Sequence, residues 1–229
     1  MRLGERLSTI ASLVPIGARL ADIGTDHAYL PINLIQRKII PWAVAGEVNN
    51  GPYQSASEAI EEYGLGSQIS LRLGNGLAVL SPGEVDVVVI AGMGGATITD
   101  ILTMQPEVTQ SLNGLILQPM IAAAAVRRWL IGHNWRIADE AIVQEENKLY
   151  EIIAAEQGIS PELEPILYEI GPVLWLKKPP LLKTHIEHLI AQNKRILADM
   201  SASANASNSA KYHEYVNKIK QLEAKLICL

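Results

Sequence analysis

Several features that would assign a chain to a common protein class are absent from this 229-residue sequence. Its single cysteine, Cys228, lies next to the C-terminus, which excludes an internal disulfide framework and a cysteine-based metal site. No apolar run reaches the roughly 18 residues that a membrane-spanning helix needs, so we predict no membrane span. The N-terminal residues mix charges of both signs and no apolar stretch follows them, so we expect no secretory signal and a cytoplasmic protein.

Two phosphate-binding fingerprints are also missing. The dinucleotide pattern G-x-G-x-x-G does not occur, because Gly24 stands alone, and no glycine-rich segment ends in Gly-Lys-Ser/Thr. The five histidines form no cluster of ligands, and His185 and His188, one helical turn apart, lack a third partner. We therefore predict that the chain binds no metal and that it is neither a P-loop protein nor a typical NAD-binding protein.

The sequence does have the composition of a globular protein, with an uneven distribution of charge. It is 48% hydrophobic and 19% charged, with a net charge of −5. Residues 1–170 carry 10 basic against 20 acidic side chains, whereas residues 171–229 carry 9 against 4. An acidic body with a basic tail suggests a polyanionic partner for the tail; the alternative is a solvated helical surface that happens to use lysine.

The most informative segment is the junction that follows the apolar run 19–23. Gly24 ends the run, Asp26 follows, and the next residues can start a helix, as in the strand–turn–helix junctions that bind nucleotide-like ligands. The glycine lets the backbone approach a ligand, and acidic residues suit hydroxyl and ammonium groups. The segment therefore favours S-adenosylmethionine over NAD, with an ordinary turn capped by Asp26 as the alternative.

The next two strand-like runs end in polar residues that suit the same ligand. Glu47, near the end of the run 43–48, can accept hydrogen bonds from both hydroxyls of a ribose. Asn75 follows the run 69–73 and can contact an adenine edge through its amide, with a plain Asn-Gly turn as the alternative.

Two later runs add a glycine-rich segment and a polar strand end. The run 85–90 leads into residues 91–95, whose three glycines would let two ligands approach the backbone. The run 114–120 carries Gln118 and Pro119 at its end. All these features follow strand-like runs, and ligands bind at the carboxyl ends of the strands in parallel α/β sheets.

The order of the elements predicts the fold class and the domains. Strands alternate with helices and close on a hairpin of residues 135–143 and 148–155, which predicts an α/β, doubly wound, seven-stranded, mostly parallel sheet of the Rossmann-like methyltransferase type. We predict a catalytic domain over 1–157, a linker with docked segments over 158–180, and a coiled-coil hairpin over 181–229. Two heptad seams favour an antiparallel helical hairpin, with dimerisation through these helices as the competing interpretation.

Five segments together resemble the bacterial tRNA methyltransferase family that modifies N1 of adenine 22. They are Ala-Asp-Ile-Gly-Thr-Asp-His-Ala-Tyr-Leu-Pro (21–31), Glu-Val-Asn-Asn-Gly-Pro (47–52), Ala-Gly-Met-Gly-Gly (91–95), Leu-Ile-Leu-Gln-Pro (115–119) and Glu-Glu-Asn-Lys-Leu-Tyr-Glu (145–151). The resemblance covers nearly the whole chain, although Asn75 stands where the family carries Asp more often. It implies an N-terminal domain that binds S-adenosyl-L-methionine and a coiled-coil domain that helps to hold the tRNA.

The motifs and the resemblance together predict the residues of the site. The predicted cofactor-binding residues are Asp22, Gly24, Thr25, Asp26, His27, Glu47, Val48, Asn75, Gly76, Ala91, Gly92 and Met93. The predicted substrate contacts are Tyr29, Gly94, Gly95, Gln118 and Pro119. The predicted contacts with the RNA backbone are Lys183, Lys194, Arg195, Lys218 and Lys220.

Asp26 is the predicted catalytic residue, since a carboxylate would stabilise the cationic adenine ring formed by methylation. The rival interpretation makes Asp26 a cofactor contact only. Two other functions stay open: a methyltransferase acting on a small molecule, and a non-catalytic protein whose coiled coil binds other proteins. We expect a monomer or weak dimer.

Overall fold

The apolar runs of the N-terminal part form a seven-stranded sheet. The structure is a computed structural model that describes residues 1–201 and 209–229, and the chain divides into two units, Met1–Pro161 and Glu162–Leu229. The strands of the first unit are β1 (Leu20–Ile23), β2 (Ala43–Glu47), β3 (Ile69–Leu73), β4 (Val87–Gly94), β5 (Gly114–Ile121), β6 (Trp135–Glu145) and β7 (Lys148–Gln157).

The strand order is β3-β2-β1-β4-β5-β7-β6. Strands β1 to β5 are parallel, and β7 runs antiparallel to both β5 and β6. Every residue of β1 and β2 is buried, as expected for central strands that are covered by helices on both faces. The predicted mostly parallel, doubly wound sheet with a terminal hairpin is confirmed.

Helices connect the strands of the first unit. They are α1 (Glu5–Ser12), α2 (Tyr29–Gln36), α3 (Asn50–Glu62), α4 (Gly95–Met104), α5 (Pro106–Ser111) and α6 (Ala123–Gly132), with a short 3-10 helix at Gly76–Val79. The helix α1 precedes the first strand, and it buries Ile10 and Ala11.

The fourth strand is longer than its apolar run. Residues 91–94, which the sequence places in a glycine-rich turn, continue β4 and pair with the end of β5. The pairing is irregular around Met93, where the register shifts on both sides, and Gly92 has a φ of +79°. The glycines therefore permit a bulged strand end, which brings the backbone of this segment to the edge of the sheet where β1 also ends.

The second unit contains only helices among the residues that the structure describes. They are α7 (Pro165–Ile170), α8 (Pro172–Lys177), α9 (Leu182–Ser201) and α10 (Ala210–Ile227). The segment for which the sequence predicts a linker holds α7 and α8, whose first residues Pro165 and Pro172 suit the first helical turn because no amide partner is lost there.

Helices α9 and α10 pack against each other through the predicted seams. Ile186 of α9 and Ile219 and Leu222 of α10 are buried, and the buried amide of Asn193 donates to the carbonyl of Leu189 in its own helix. The serine-rich connection 202–208 lies outside the described residues. No helix in the described part of the chain is both long and apolar enough to cross a membrane.

Candidate active site

A cavity of about 410 Å³ lies at the carboxyl ends of the central strands. Its volume falls within the range of roughly 300–1,000 Å³ that is typical of sites for small molecules. Eight predicted site residues line it: Asp22, Gly24, Thr25, Asp26, His27, Tyr29, Ala91 and Gly92. The strands β1 and β4 are neighbours, so their ends bring the first and fourth motifs together.

The junction after β1 has a tight turn in its backbone. Gly24 adopts a φ of +76°, and the amides of Gly24 and Thr25 both donate to the carbonyl of Gly46 in β2. A Cβ atom added to Gly24 would lie 2.3 Å from the terminal methyl of Met93. Glycine is therefore required twice here, by the left-handed backbone and by the close approach of Met93.

Asp22 is a buried carboxylate inside this junction. It accepts a hydrogen bond of 2.7 Å from the hydroxyl of Thr25, and it is 6% exposed. Burial raises the pKa of Asp22 to about 6; the Thr25 hydrogen bond lowers it, the charge of Glu47 raises it, and the charge of Arg6 lowers it. Near neutral pH the cavity therefore contains a carboxylate that is short of hydration and that favours a cationic partner.

Glu47 ends β2 and holds the turn of the neighbouring junction. One of its oxygens accepts from the amides of Val48 and Asn49 at 2.8 and 3.0 Å. The other accepts from the amide of Asp26 at 3.3 Å. Three backbone hydrogen bonds keep this carboxylate ionised and fixed in direction, although it does not line the cavity itself.

Asp26 presents an exposed carboxylate at the cavity. It has a φ of 54°, in the left-handed region, and its backbone amide is bonded to Glu47. Its side chain is 67% exposed and lies 3.8 Å from the Nε2 atom of His27. The N-cap position of α2 is Ala28, without any side-chain cap, so the alternative of Asp26 as a helix cap is wrong. The residue is held by its backbone while its carboxylate stays free to meet a ligand.

His27 and Tyr29 form a stacked pair on the wall of the cavity. Their ring centroids are 5.0 Å apart and their planes differ by 13°. Tyr29 is 41% exposed, which leaves an aromatic surface available to a second planar group.

The other predicted site residues lie away from the wall of this cavity. Asn75 is exposed and precedes the 3-10 helix that begins at Gly76, and Val48 is exposed beside Glu47. Gly95 is buried at the start of α4, next to Gly94. Met93, Gly94 and Pro119 do not contribute to the lining.

Gln118 is completely buried and its groups are engaged by the chain. Its Oε1 atom accepts from the Nη1 atom of Arg6 at 2.9 Å and from the amide of Gly92 at 3.1 Å. Its Nε2 atom donates to the carbonyl of Pro119 at 3.0 Å. The side chain therefore supports the wall from behind, and it is the next strand residue, Met120, that reaches the cavity.

Sequence reasoning missed six residues of the wall, namely Arg6, Leu7, Leu30, Met120, Glu145 and Tyr150. The first two belong to α1 and the last two to the β6–β7 hairpin. The motif that contains Glu145 and Tyr150 was recognised as part of the resemblance, but its hairpin pattern carried no sign of a ligand site. Nothing in the sequence distinguishes Arg6 from an exposed basic residue of an amphipathic helix.

The basic residues predicted to bind RNA differ in their surroundings. Lys194 pairs with Glu223 at 2.8 Å, and Lys218 pairs with Glu169 at 3.0 Å and lies over the ring of Tyr215. Lys183, Arg195 and Lys220 are exposed and make no salt bridge within the residues that the structure describes.

Comparison with known proteins decides the family. Residues 20–224 match the model of the tRNA (adenine(22)-N(1))-methyltransferase family. The chain belongs to this family. The resemblance found in the sequence is therefore confirmed, and with it the enzyme class.

Individual members of the tRNA (adenine(22)-N(1))-methyltransferase family agree with the match. The Bacillus subtilis tRNA (adenine(22)-N(1))-methyltransferase is 44% identical over 158 residues, which are 69% of this chain and 66% of that protein. A Streptococcus pneumoniae structure in complex with S-adenosyl-L-methionine superposes with a TM-score of 0.88 at 36% identity, covering 98% of this chain and 100% of that one. A Mycoplasma capricolum structure with S-adenosyl-homocysteine gives 0.84 at 30% identity, covering 99% and 98%.

Proposed function

We propose that this methyltransferase transfers a methyl group to N1 of adenine 22 in tRNA, and that the reaction takes place in the cavity beside Asp26. The family is dependent on S-adenosyl-L-methionine, and two relatives have structures with the cofactor or its product. The observation that carries the proposal is the convergence of eight predicted site residues on one cavity of suitable size in a member of this family.

The residues around the cavity fit S-adenosyl-L-methionine in their chemistry. The fixed carboxylate of Glu47 suits ribose hydroxyls, and Val48, Asn75 and Gly76 provide an apolar and an amide surface for adenine. The turn at Gly24 and Thr25, with Asp22, His27 and the strand end 91–93, suits the amino-acid part, because buried Asp22 favours an ammonium. When bound there, the cofactor supplies an electrophilic methyl group on a sulfonium.

The chain's contribution to the chemistry is mainly to position the base. Adenine N1 has a lone pair and needs no deprotonation before attack, so correct alignment removes much of the barrier, on the order of several kcal/mol. The exposed face of Tyr29 offers a stacking surface for the adenine, and the strand end at Gly94 and Gly95 is the other candidate contact. N1 is occupied in a base pair, so the nucleotide must be unpaired or flipped to react.

Asp26 is the group that we assign to the developing charge. Methylation makes the adenine ring cationic, and a carboxylate near N1 or the exocyclic amine stabilises that charge and can accept a proton. The exposure of Asp26 and its fixed backbone support this role over that of Asp22, which is buried and bonded to Thr25. The rival role, in which Asp26 contacts the cofactor only, predicts a loss of cofactor affinity in its variants.

The second unit provides basic side chains for the tRNA backbone. Lys183, Arg195 and Lys220 are exposed and outside the observed ion pairs, so we assign them the larger share of the phosphate contacts. Lys194 and Lys218 would have to exchange their glutamate partners for phosphates. Such contacts position the RNA and make its binding dependent on salt, without reading the sequence. We expect the reaction to occur in the cytoplasm, and the protein to act as a monomer or weak dimer.

The identity of the target nucleotide can be tested with tRNA transcripts. The wild-type protein should methylate a transcript with adenine at position 22 and should leave a matched transcript with guanine or uracil there unlabelled. Equal labelling of both transcripts would refute position 22 as the target. Labelling of neither, at any salt concentration, would favour the alternative of a small-molecule substrate.

A further inference from the structure

Arg6 reaches the cavity from a helix that precedes all the recognised motifs. It lies in α1, before the residues 20–224 that match the family model, and its side chain lines the cavity. The side chain is 25% exposed, so the guanidinium is accessible from the cavity without being free in solvent. Its Nη1 atom lies 4.0 Å from the position that a Cβ of Gly92 would occupy, at the end of β4.

Three residues hold the guanidinium in this position. Gln118 accepts a hydrogen bond of 2.9 Å from Nη1, the ring of Tyr150 lies 5.6 Å below the guanidinium carbon, and a carboxylate oxygen of Glu145 lies 3.9 Å from Nε. Glu145 also accepts from the backbone amide of Arg6 at 3.3 Å, which fixes the start of α1 to the β6–β7 hairpin. The side chain is therefore oriented before any ligand arrives.

The guanidinium keeps most of its hydrogen-bonding capacity in this arrangement. An arginine has five N–H donors, and within residues 1–201 and 209–229 the only hydrogen bond from this guanidinium is the one to Gln118. The contact with Glu145, at 3.9 Å, is too long for a hydrogen bond. A partly buried fork of free donors next to a cavity is suited to a ligand with paired oxygens.

The charge of the cavity gives this fork a specific task. Asp22, Asp26 and Glu145 line the same wall, and Arg6 is the one lysine or arginine among the described lining residues. Both reactants of the proposed reaction carry oxyanions: the cofactor has an amino-acid carboxylate, and the target nucleotide has flanking phosphates. A wall of carboxylates alone would repel either group.

We propose that Arg6 is the oxyanion-binding residue of the reaction cavity and that its guanidinium binds a carboxylate or phosphate of a reactant through paired hydrogen bonds. This inference rests on the proposed function, because that function brings the two oxyanions to the site. An arginine suits this task better than a lysine, since its planar fork matches the two oxygens of either group.

The test compares ligands with and without the oxyanion in the variants Arg6→Gln and Arg6→Lys. The probes are S-adenosylhomocysteine, 5′-methylthioadenosine, which lacks the amino-acid carboxylate, and an unmodified tRNA transcript. Dissociation constants are measured by calorimetry for the nucleosides and by filter binding for the tRNA. The control is Arg2→Gln, which removes the same charge at an exposed position near the start of the same helix. Melting temperatures of all variants show whether they are folded.

A carboxylate partner predicts that Arg6→Gln weakens S-adenosylhomocysteine binding by about 10- to 100-fold and leaves 5′-methylthioadenosine within about twofold. A phosphate partner predicts unchanged nucleoside binding and tRNA binding weakened by about tenfold. In either case Arg6→Lys should lose less than Arg6→Gln, and Arg2→Gln should behave as the wild type. The proposal is overturned if all three ligands bind Arg6→Gln as they bind the wild type. It is also overturned if both nucleosides weaken equally, or if the variant does not fold and Arg6→Lys binds every ligand normally.

The same experiment keeps this inference separate from the proposed function. Formation of 1-methyladenosine by the wild-type protein is measured on the same tRNA. If the wild type forms none, the proposed function fails, while the binding constants still decide whether Arg6 binds an oxyanion.

Discussion

Two carboxylates at the first junction have opposite surroundings, and this difference gives them different roles. Asp22 is buried against Thr25 and has a pKa raised to about 6, chiefly by burial. Asp26 is exposed, with its backbone fixed by Glu47. The buried group therefore responds to pH and to a cationic ligand, whereas the exposed group is available to the base.

The raised pKa of Asp22 predicts a pH dependence of stability. The folded state binds the proton more tightly than the unfolded chain, whose value is the ordinary 3.8, so the free energy of unfolding falls as pH rises from about 4 to about 6 and is level above that. The full difference is about 3 kcal/mol. Asp22→Asn should remove this fall, because its amide oxygen still accepts from Thr25 while carrying no charge.

Urea unfolding of both proteins between pH 4 and pH 7 measures this effect. Asp100→Asn, at an exposed position of α4, is the control and should keep the pH dependence of the wild type. A wild-type protein that is as stable at pH 7 as at pH 4, relative to Asp22→Asn, would contradict the assignment.

The sequence was sufficient to predict the site residues that follow strand ends. Asp22, Gly24, Glu47 and Gly92 could be found because each lies at the end of an apolar run, and parallel strands bring these ends to one edge of the sheet. Arg6 could not be found, because its position depends on how α1 packs against the β6–β7 hairpin, and an amphipathic pattern does not state its tertiary neighbour.

At the scale of elements, the start of α4 depends on a close backbone contact at Gly95. A Cβ atom there would lie 2.5 Å from the carbonyl oxygen of Ala122 and 3.0 Å from that of Ile121. Backbone atoms cannot move aside cheaply, so Gly95→Ala should destabilise the protein by about 1–3 kcal/mol. Gly94→Ala is the matched control, since its Cβ would find its nearest neighbour at 3.7 Å. Equal stabilities of the two variants in thermal unfolding would show that the contact is not limiting.

The attachment of the terminal hairpin to α6 depends on a buried ion cluster. Arg127 of α6 is fully buried and bonds to Glu140 of β6 and Glu151 of β7, each at 2.6 Å. Arg127→Met would leave two carboxylates without their cation, which costs about 3–5 kcal/mol. Arg128→Met, at the exposed neighbouring position, should cost less than about 1 kcal/mol. A denaturation midpoint of Arg127→Met as high as that of Arg128→Met would rule out this role.

The elements themselves were predictable except where glycine or proline allows two outcomes. The alternation of apolar runs and helical patterns gave the sheet its predicted class, because each run is long enough to form one strand. The glycines after residue 90 permit a turn or a bulged strand, and only pairing with β5 selects the strand. Pro165 and Pro172 likewise permit a linker or a helix start, and the structure contains two helices.

At the scale of the whole molecule, the separation of charge predicts where the tRNA backbone is bound. Replacing Lys183, Arg195 and Lys220 with glutamine should weaken tRNA binding by about tenfold or more and reduce the dependence on salt by about one unit of slope per contact. Binding of S-adenosylhomocysteine should not change, since these residues lie outside the first unit.

The control for the basic residues removes three positive charges from the first unit instead. Arg2, Arg37 and Lys38 are exposed there, and their replacement by glutamine changes the net charge equally. If both triple variants weaken tRNA binding to the same extent, the effect is one of net charge, and the second unit has no special part in binding the tRNA.

The most direct test of the whole account is nucleoside analysis of tRNA after reaction with the wild type and with Asp26→Asn. Asparagine tolerates the left-handed backbone of residue 26, so the variant should fold and bind S-adenosylhomocysteine within about threefold of the wild type. The account predicts 1-methyladenosine at position 22 with the wild type and a rate reduced by about 100-fold or more with the variant. Absence of 1-methyladenosine with the wild type would contradict the proposed function, and an undiminished rate with Asp26→Asn would contradict the role of Asp26.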